Sequence, residues 1–450
     1  MALRFVPRTL AAIAGLSIGI TTTVPAQTPQ PGAPVERRAG SSAEIECDAD
    51  NGGLMLPSGF CALVVAENVG RARHLVVRRN GDIYVALNPA ADGSDPGGLV
   101  ALRDADGDGR AEVVEKLADV GGNGLDLSHD GRFLYFARPD RVVRYRLSHG
   151  SLRPVGEPVT IVAGLPADGD HRAKTVVLDR VGGFFLNIGS ASNACQVENR
   201  AVLSPGVDPC PELATRAGVW RFSADAANQT FADGRRFATG LRNTNALAIH
   251  PLTRQLWGVP NGRDQLHENW PMLFSPTDDE VAPAEEIVRI RRGLDNGWPY
   301  CYEDSRIQSQ GRKVLAPEYG GDGATKGRCS AIRDAALTLP AHWAPLGIAF
   351  YAGRQFPRDY FLDAFVTSHG ARFPGPPEGP GYQVLRVRFD NGRPVSWETF
   401  ADGFAAGAAQ LPQDARDRPV GLAVGLDGSL YISSDQPPGR IFRVLFRSQT

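Results

Sequence analysis

Lysine is nearly missing from this chain. Of 48 basic residues only Lys116, Lys174, Lys313 and Lys326 are lysines, so positive charge is carried almost entirely by arginine. No lysine follows Lys326, and any cation offered by the C-terminal part is a guanidinium. Excess charge is also lacking. A net charge of -2 argues against nucleic acid or an anionic membrane as a partner. No run reads as an amphipathic helix of any length. The apolar stretch Leu10 to Ile20 is too short to cross a bilayer, so no membrane span is expected. Finally, no C-x-x-C-H occurs, which argues against covalently attached haem.

What the chain does have is turns and repetition. Glycine (51) and proline (34) suit a fold rich in turns. A short apolar run, a turn and a second short run recur from about residues 72, 122, 172, 244, 346 and 419. Apolar and polar residues alternate in each copy, and Asn80-Gly81, Asp130-Gly131 and Asp427-Gly428 fall where type I′ hairpin turns are expected. Hairpins repeating at such a period indicate a propeller, because a four-stranded blade buries its faces only against its neighbours. The expected fold is an all-β, six-bladed β-propeller spanning 45–450 as one domain, with Phe60 to Ala66 closing the ring against the last blade. Longer insertions are expected at about 191–216 and 267–344.

Arg4 and Arg8 ahead of the apolar stretch, and Val24-Pro25-Ala26 after it, read as a signal peptide over 1–26. A polar, proline-rich tract over 27–44 reads as a disordered lead-in. The protein is therefore expected to be periplasmic or secreted. An even count of six cysteines suits disulfides there, and their spacing favours the local pairs Cys47 with Cys61, Cys195 with Cys210, and Cys301 with Cys329.

Ionisable residues recur just ahead of the repeats' first strands. They are Asp170-His171-Arg172, Arg242-Asn243 and Arg416-Asp417-Arg418, with Asp435 ending the second strand of the last copy. That position faces one end of the ring in every blade, so converging arginines would form an electropositive pocket for an anionic ligand. Separately, Asp104, Asp106, Asp108, Gly109 and Glu115, with Glu112 between, fit the D-x-D-x-D-G-x5-E spacing of a calcium loop. The strand-like run before it makes this a hairpin calcium loop and not an EF-hand.

The runs PLGIAFYAGRQFPRDYFLDAFVTSHG, GYQVLRV, RPVGLAVGLDGSLYISSDQPPGRIFRV and DNGWPYCYED resemble the sorbosone dehydrogenase and soluble glucose dehydrogenase group, which uses pyrroloquinoline quinone (PQQ). The resemblance runs in order over residues 55 to 446. It implies PQQ and Ca2+ at the mouth of a six-bladed propeller, and a histidine base that takes a substrate hydroxyl proton. His171 falls on the base and Asp170 on the carboxylate before it. Arg242 and Asn243 fall on the pair touching PQQ, and Arg416, Arg418 and Asp435 on the group binding its carboxylates. Val259 and Pro260 fall on the backbone carbonyls that hold calcium, and Asn123 on a polar residue lining the pocket. Where the group places a lysine on PQQ, the nearest cation is Arg372, and Ser190 stands where an acid would support the histidine.

The chemistry agrees with these expectations. Arginine forks suit a tricarboxylate, calcium takes backbone carbonyl oxygens, and a neutral imidazole can act as the base. The expected activity is oxidation of a sugar or related polyol or aldehyde, with electrons passed to a soluble acceptor such as a cytochrome. Two other readings stand beside it: a calcium-dependent lactonase-type propeller hydrolase, and a cofactor-less binding scaffold. The hydrolase would need a carboxylate-rich channel floor rather than an arginine set.

Overall fold

A computed structural model of the protein describes residues 45–306, 312–371, 376–407 and 409–447. The expected signal peptide, the lead-in and Arg372 lie outside the described residues.

Six antiparallel blades of four strands follow one another in chain order, and blade 2 gains a fifth strand, Gln229–Thr230, which pairs parallel with Val159–Ala163. Blade 1 is built from Ala72–Val77, Ile83–Leu87, Gly98–Arg103 and Val113–Ala118. Its burial shows why: every residue of Ile83–Leu87 is buried, while the outermost strand alternates between partly buried and exposed positions. Blade 2 begins at Gly124–Leu127 and blade 3 at Val176–Leu178. Blade 4 begins at Ala246–Ile249 and blade 5 at Pro345–Phe350. Blade 6 begins at Pro419–Val424 and takes its outermost strand from the other end of the chain. There Phe60–Glu67 pairs antiparallel with Arg440–Phe446, from Phe60 opposite Phe446 to Glu67 opposite Arg440. The first strand of each blade touches the first strands of both neighbours, which closes the ring.

The hairpin turns differ from expectation. Gly81, Gly131 and Gly428 have positive φ, but Asn80, Asp130 and Asp427 do not, so these are not type I′ turns. Gly81 N–H donates to Arg78 O at 3.0 Å and Arg78 N–H to Asp82 O at 2.8 Å, a type I turn closed by a left-handed glycine. The cause is local. Asn80 and Asp130 each accept a backbone N–H two residues on through their side chains, which closes an Asx turn and leaves the left-handed position to glycine.

The insertions also differ in part. Residues 191–216 do lie between two strands of blade 3, Gly183–Ile188 and Gly218–Ser223. The second expected insertion instead contains two strands of blade 4, Glu285–Ile290 and Leu337–Leu339. What is inserted there is the short helices Leu266–Asn269 and Pro276–Val281, and the hairpin of Cys301–Glu303 with Lys313–Leu315. All three cysteine pairs form as expected, and no cysteine is free.

Apolar side chains between blades form the core. The closing strand enters it through Phe60, whose ring lies 4.8 Å from Phe356, 5.0 Å from Phe400 and 5.0 Å from Phe446. The two ends of the channel differ. Loops ahead of the first strands, and those after the second strands, gather at one end, the mouth. A cavity of about 640 Å³ opens at the other end among the first strands and their turns, with Val77, Leu127 and Phe350 in its wall.

Candidate functional site

A belt of hydrogen bonds crosses the mouth from blade to blade. Arg73, on the first strand of blade 1, donates through Nη1 to Asp435 Oδ2 of blade 6 at 2.7 Å and through Nε to Asn123 Oδ1 at 2.8 Å. Asn123 Nδ2 donates to Thr175 Oγ1 at 3.2 Å, and Thr175 Oγ1 donates to Asn245 O at 2.8 Å, reaching blades 3 and 4. The other Asp435 oxygen lies 2.7 Å from His369 Nε2, at the end of the second strand of blade 5. Arg418 donates through Nε to His369 O at 3.0 Å and through Nη2 to Gly370 O at 3.2 Å. Burial works against the Asp435 charge, yet His369, Arg73 and Arg418 together hold its carboxyl below the usual range. Burial pushes His369 down to about 4 despite that carboxylate, so its imidazole is neutral at neutral pH.

His171 stands on the loop leading into blade 3. Its Nδ1 lies 2.9 Å from Ser190 Oγ and 3.1 Å from Ser190 O. Ser190 Oγ donates its own proton to Ser192 O at 2.7 Å, so toward the imidazole it can only accept. The hydrogen-bond network therefore assigns the imidazole proton to Nδ1 and leaves Nε2 as the acceptor, the state a general base needs. Burial, helped by the Arg242 charge, pushes His171 down to about 3. Gly189 brings this residue against blade 4: a Cβ there would lie 2.6 Å from His171 Cβ and 3.4 Å from Asn243 Oδ1.

Arg242 is 5% exposed. Nε donates to Asn193 O at 3.0 Å, Nη1 to Gly262 O at 2.7 Å, and Nη2 to both Asn193 Oδ1 at 2.9 Å and Asp264 Oδ2 at 3.0 Å. Four of the five N–H groups of a guanidinium are thus committed, and one on Nη1 remains for a ligand. Asn243 Nδ2 donates to Asn261 Oδ1 at 3.0 Å, and Asn261 N–H donates to Asn243 O at 2.8 Å. These bonds lock the turn carrying Val259 and Pro260 against the Arg242-Asn243 loop. Glu285 fixes the far side of that turn, accepting Gly262 N–H at 2.7 Å and Ala344 N–H at 3.0 Å. Burial pushes its carboxyl up to about 8.

Two expected residues are placed elsewhere. Arg416 is exposed on the flank of blade 6, where Nη2 donates to Gly53 O and Gly403 O, both at 3.0 Å, and Nε pairs with Asp417 at 3.2 Å. It does not join Arg418, because the chain ahead of Pro419–Val424 is irregular and the rule that i and i+2 share a face does not apply. In the acidic hairpin of blade 1, the carboxylates that gather are Asp104, Asp106, Asp108 and Glu112, with ligand atoms within 4.8 Å of one another. Glu115 is not among them. It belongs to the outermost strand opposite Ala101, where it pairs with Arg153 at 2.6 Å. The four gathered carboxylates are a donor set for a hard cation, and they already cap loop N–H groups, as Asp104 does for Gly107 and Gly109.

Asp170 is exposed, with its carboxylate accepting from Arg200 Nε at 3.1 Å and Asn199 Nδ2 at 3.3 Å. Sequence reasoning missed Arg73, Asn193, Arg200 and Asp264. A signal existed only for Arg73, which with His74 interrupts the apolar first strand Ala72–Val77. Asn193 and Arg200 lie in the 191–216 insertion and Asp264 in the loop after Leu256–Val259, and no periodicity fixes the path of either.

Residues 54–445 match the TrAA12-like family. The chain belongs to that family. Among solved structures, the TrAA12-like fold here is similar to a Trichoderma reesei carbohydrate-active enzyme of family AA12 determined with calcium. The two are 21% identical, with a TM-score of 0.70 over 88% of this chain and 97% of that one. The holo PQQ domain of pyranose dehydrogenase from Coprinopsis cinerea gives 0.69 at 20% identity, over 87% and 97% of the two chains. A PQQ-bound aldose sugar dehydrogenase from Streptomyces coelicolor gives 0.54 at 16%, over 87% and 99%. At such identities the likeness establishes the six-bladed fold. An uncharacterised protein of Borreliella burgdorferi is 27% identical over 210 residues, 46% of this chain, which spans about half (48%) of that relative's length.

Proposed function

We propose that the protein is a PQQ- and calcium-dependent dehydrogenase of a sugar or related polyol or aldehyde. The observation that carries this reading is His171, a neutral imidazole with Nδ1–H held by Ser190 and Nε2 left to accept, brought against the Arg242-Asn243 loop at Gly189. The residues of the mouth fit a polycarboxylate cofactor. Arg242 keeps one N–H, and Arg73 and Arg418 add guanidinium charge to the belt. Buried polar atoms at the mouth also lack partners, namely Asn187 Nδ2, Thr244 Oγ1 and Asn245 Oδ1. Bound PQQ would supply the two-electron oxidant.

Within that reading the chain's own groups divide the work. His171 Nε2 takes the substrate hydroxyl proton, and Ser190 keeps the ring oriented. Arg242, with Asn243 beside it, would hold the cofactor, and Arg73, Arg418 and Asn123 would meet its carboxylates. The carbonyls of Val259 and Pro260 would hold calcium. Arg416 is left out of the set. A soluble acceptor such as a cytochrome would take the two electrons. Three disulfides suit a periplasmic or secreted protein. Among the described residues no helix is long and apolar enough to cross a membrane. A metal-water hydrolase is disfavoured because the only convergent group of three or more acidic, His or Cys ligands among the described residues is the blade 1 hairpin.

Reconstitution tests the reading. Purified protein titrated with PQQ in the presence of calcium should give a saturable spectral change, and then reduce an artificial acceptor when given one of a panel of sugars. No saturable change would leave the scaffold reading in its place.

A further inference from the structure

The insertion closed by Cys195–Cys210 carries Arg200, and its backbone is fixed on both sides. Arg200 N–H donates to Gln196 Oε1 at 2.9 Å, and Arg200 O accepts from Asn269 Nδ2 at 2.9 Å. Its φ of 61° is the left-handed conformation, held here by those two bonds. The side chain then reaches two carboxylates from different blades. Nε donates to Asp170 Oδ2 at 3.1 Å and Nη2 to Asp264 Oδ2 at 3.2 Å, while Nη1 donates to Gln265 Oε1 at 2.8 Å. Asp264 Oδ2 also accepts from Arg242 Nη2 at 3.0 Å. Charges therefore alternate along a chain from Asp170, next to His171, through Arg200 and Asp264 to Arg242.

We propose that Arg200 is a positioning residue that sets the separation of His171 and Arg242 by bridging Asp170 to Asp264. It touches neither of those two residues directly. Asp170 belongs to the His171 loop, and Asp264 is bound to Arg242, so the fork ties the blade 3 side of the mouth to the blade 4 side. An ammonium could not reproduce this, because a point charge lacks the planar fork that meets both carboxylates and Gln265. Side chains of Arg200, Asp170 and Asp264 are 31%, 32% and 33% exposed, so the network adds little to global stability, and its worth lies in geometry. The turnover part of this inference rests on the proposed function; the bridge itself does not.

Two readouts test it, one without cofactor. The charged groups facing His171 are Arg242, Asp264 and Asp170. With Arg200→Gln the two carboxylates lose their shared cation, and His171 in the cofactor-free protein should titrate at higher pH by NMR. With PQQ, calcium and substrate, the same variant should lose turnover about 10- to 100-fold, the effect of misplacing reacting groups by about an ångström, with little change in KM. Arg200→Lys should recover part of both. Arg328→Gln, which breaks the exposed pair at 2.5 Å between Arg328 and Asp208 of the same insertion, should change neither. If Arg200→Gln does not fold, Arg200→Lys alone decides, since incomplete recovery is still required of it. An unchanged His171 titration and full turnover in the Arg200 variants would overturn the inference. Wild-type protein that fails to bind PQQ, while Arg200→Gln still shifts His171, would sink the dehydrogenase reading and leave the bridge standing.

Discussion

The behaviour of His171 follows from what surrounds it. In the folded protein its imidazole is held down at about 3 by burial and then by Arg242, against an ordinary value of about 6.5. The fold therefore favours the neutral form. This contribution to stability is complete above about pH 6.5 and is lost as pH falls from there toward 3. For the proposed turnover the same sign applies: as the base, His171 would stay unprotonated across the neutral range. The kcat profile should be flat from about pH 8 to 6, with its acid limb well below the ordinary histidine value. An acid limb centred near 6.5 would contradict this account. Gly189→Ala tests the packing behind it. The added Cβ would meet His171 Cβ at 2.6 Å and His171 O at 2.8 Å, so the loop must move, and turnover should fall about 10- to 100-fold. The placement of His171, Arg242 and Asn243 at the mouth was legible in the sequence because each stands just ahead of a recurring apolar run. Arg416 was misjudged because spacing along an irregular segment says nothing about facing.

At the scale of elements, the closing strand and the stapled insertions matter most. Phe60 joins the N-terminal strand to an aromatic cluster of blades 5 and 6, lying 5.3 Å from Tyr360 as well as against Phe356 and Phe400. Phe60→Ala should cost about 3–5 kcal/mol in denaturant unfolding, as large-to-small changes in a packed aromatic core do. A loss under about 1 kcal/mol would mean that the ring does not depend on this closure. The six repeats were readable because alternation and turn spacing reflect burial against neighbouring blades. The turn type was not, because Asn-Gly and Asp-Gly pairs serve both a two-residue loop and a longer one, and the Asx bond made by the side chain decides between them. The path of residues 191–216 and 266–281 was not legible either. Asn193, Arg200 and Asn269 within them, and Asp264 in the loop leading into the second, hold one another by hydrogen bonds between distant segments, and no local pattern records such bonds.

On the scale of the whole molecule, the ring separates two ends with different chemistry. At the mouth a belt of buried arginine, asparagine and carboxylate groups joins the blades. At the other end lies the cavity of about 640 Å³, in which none of the mouth's charged residues takes part. Closure of the ring brings Arg73, from near the N-terminal end of the described chain, to Asp435, from near its C-terminal end, at 2.7 Å. The central claim is that this mouth holds PQQ with His171 as the base. The most direct measurement compares wild-type protein with His171→Ala, following the PQQ spectrum during titration with calcium present and then acceptor reduction with an active sugar. Both proteins should show the same saturable spectral change, and only the wild type should turn over, with the variant down by at least about 10²-fold. Equal turnover in the two, or no spectral change in either, would contradict the account.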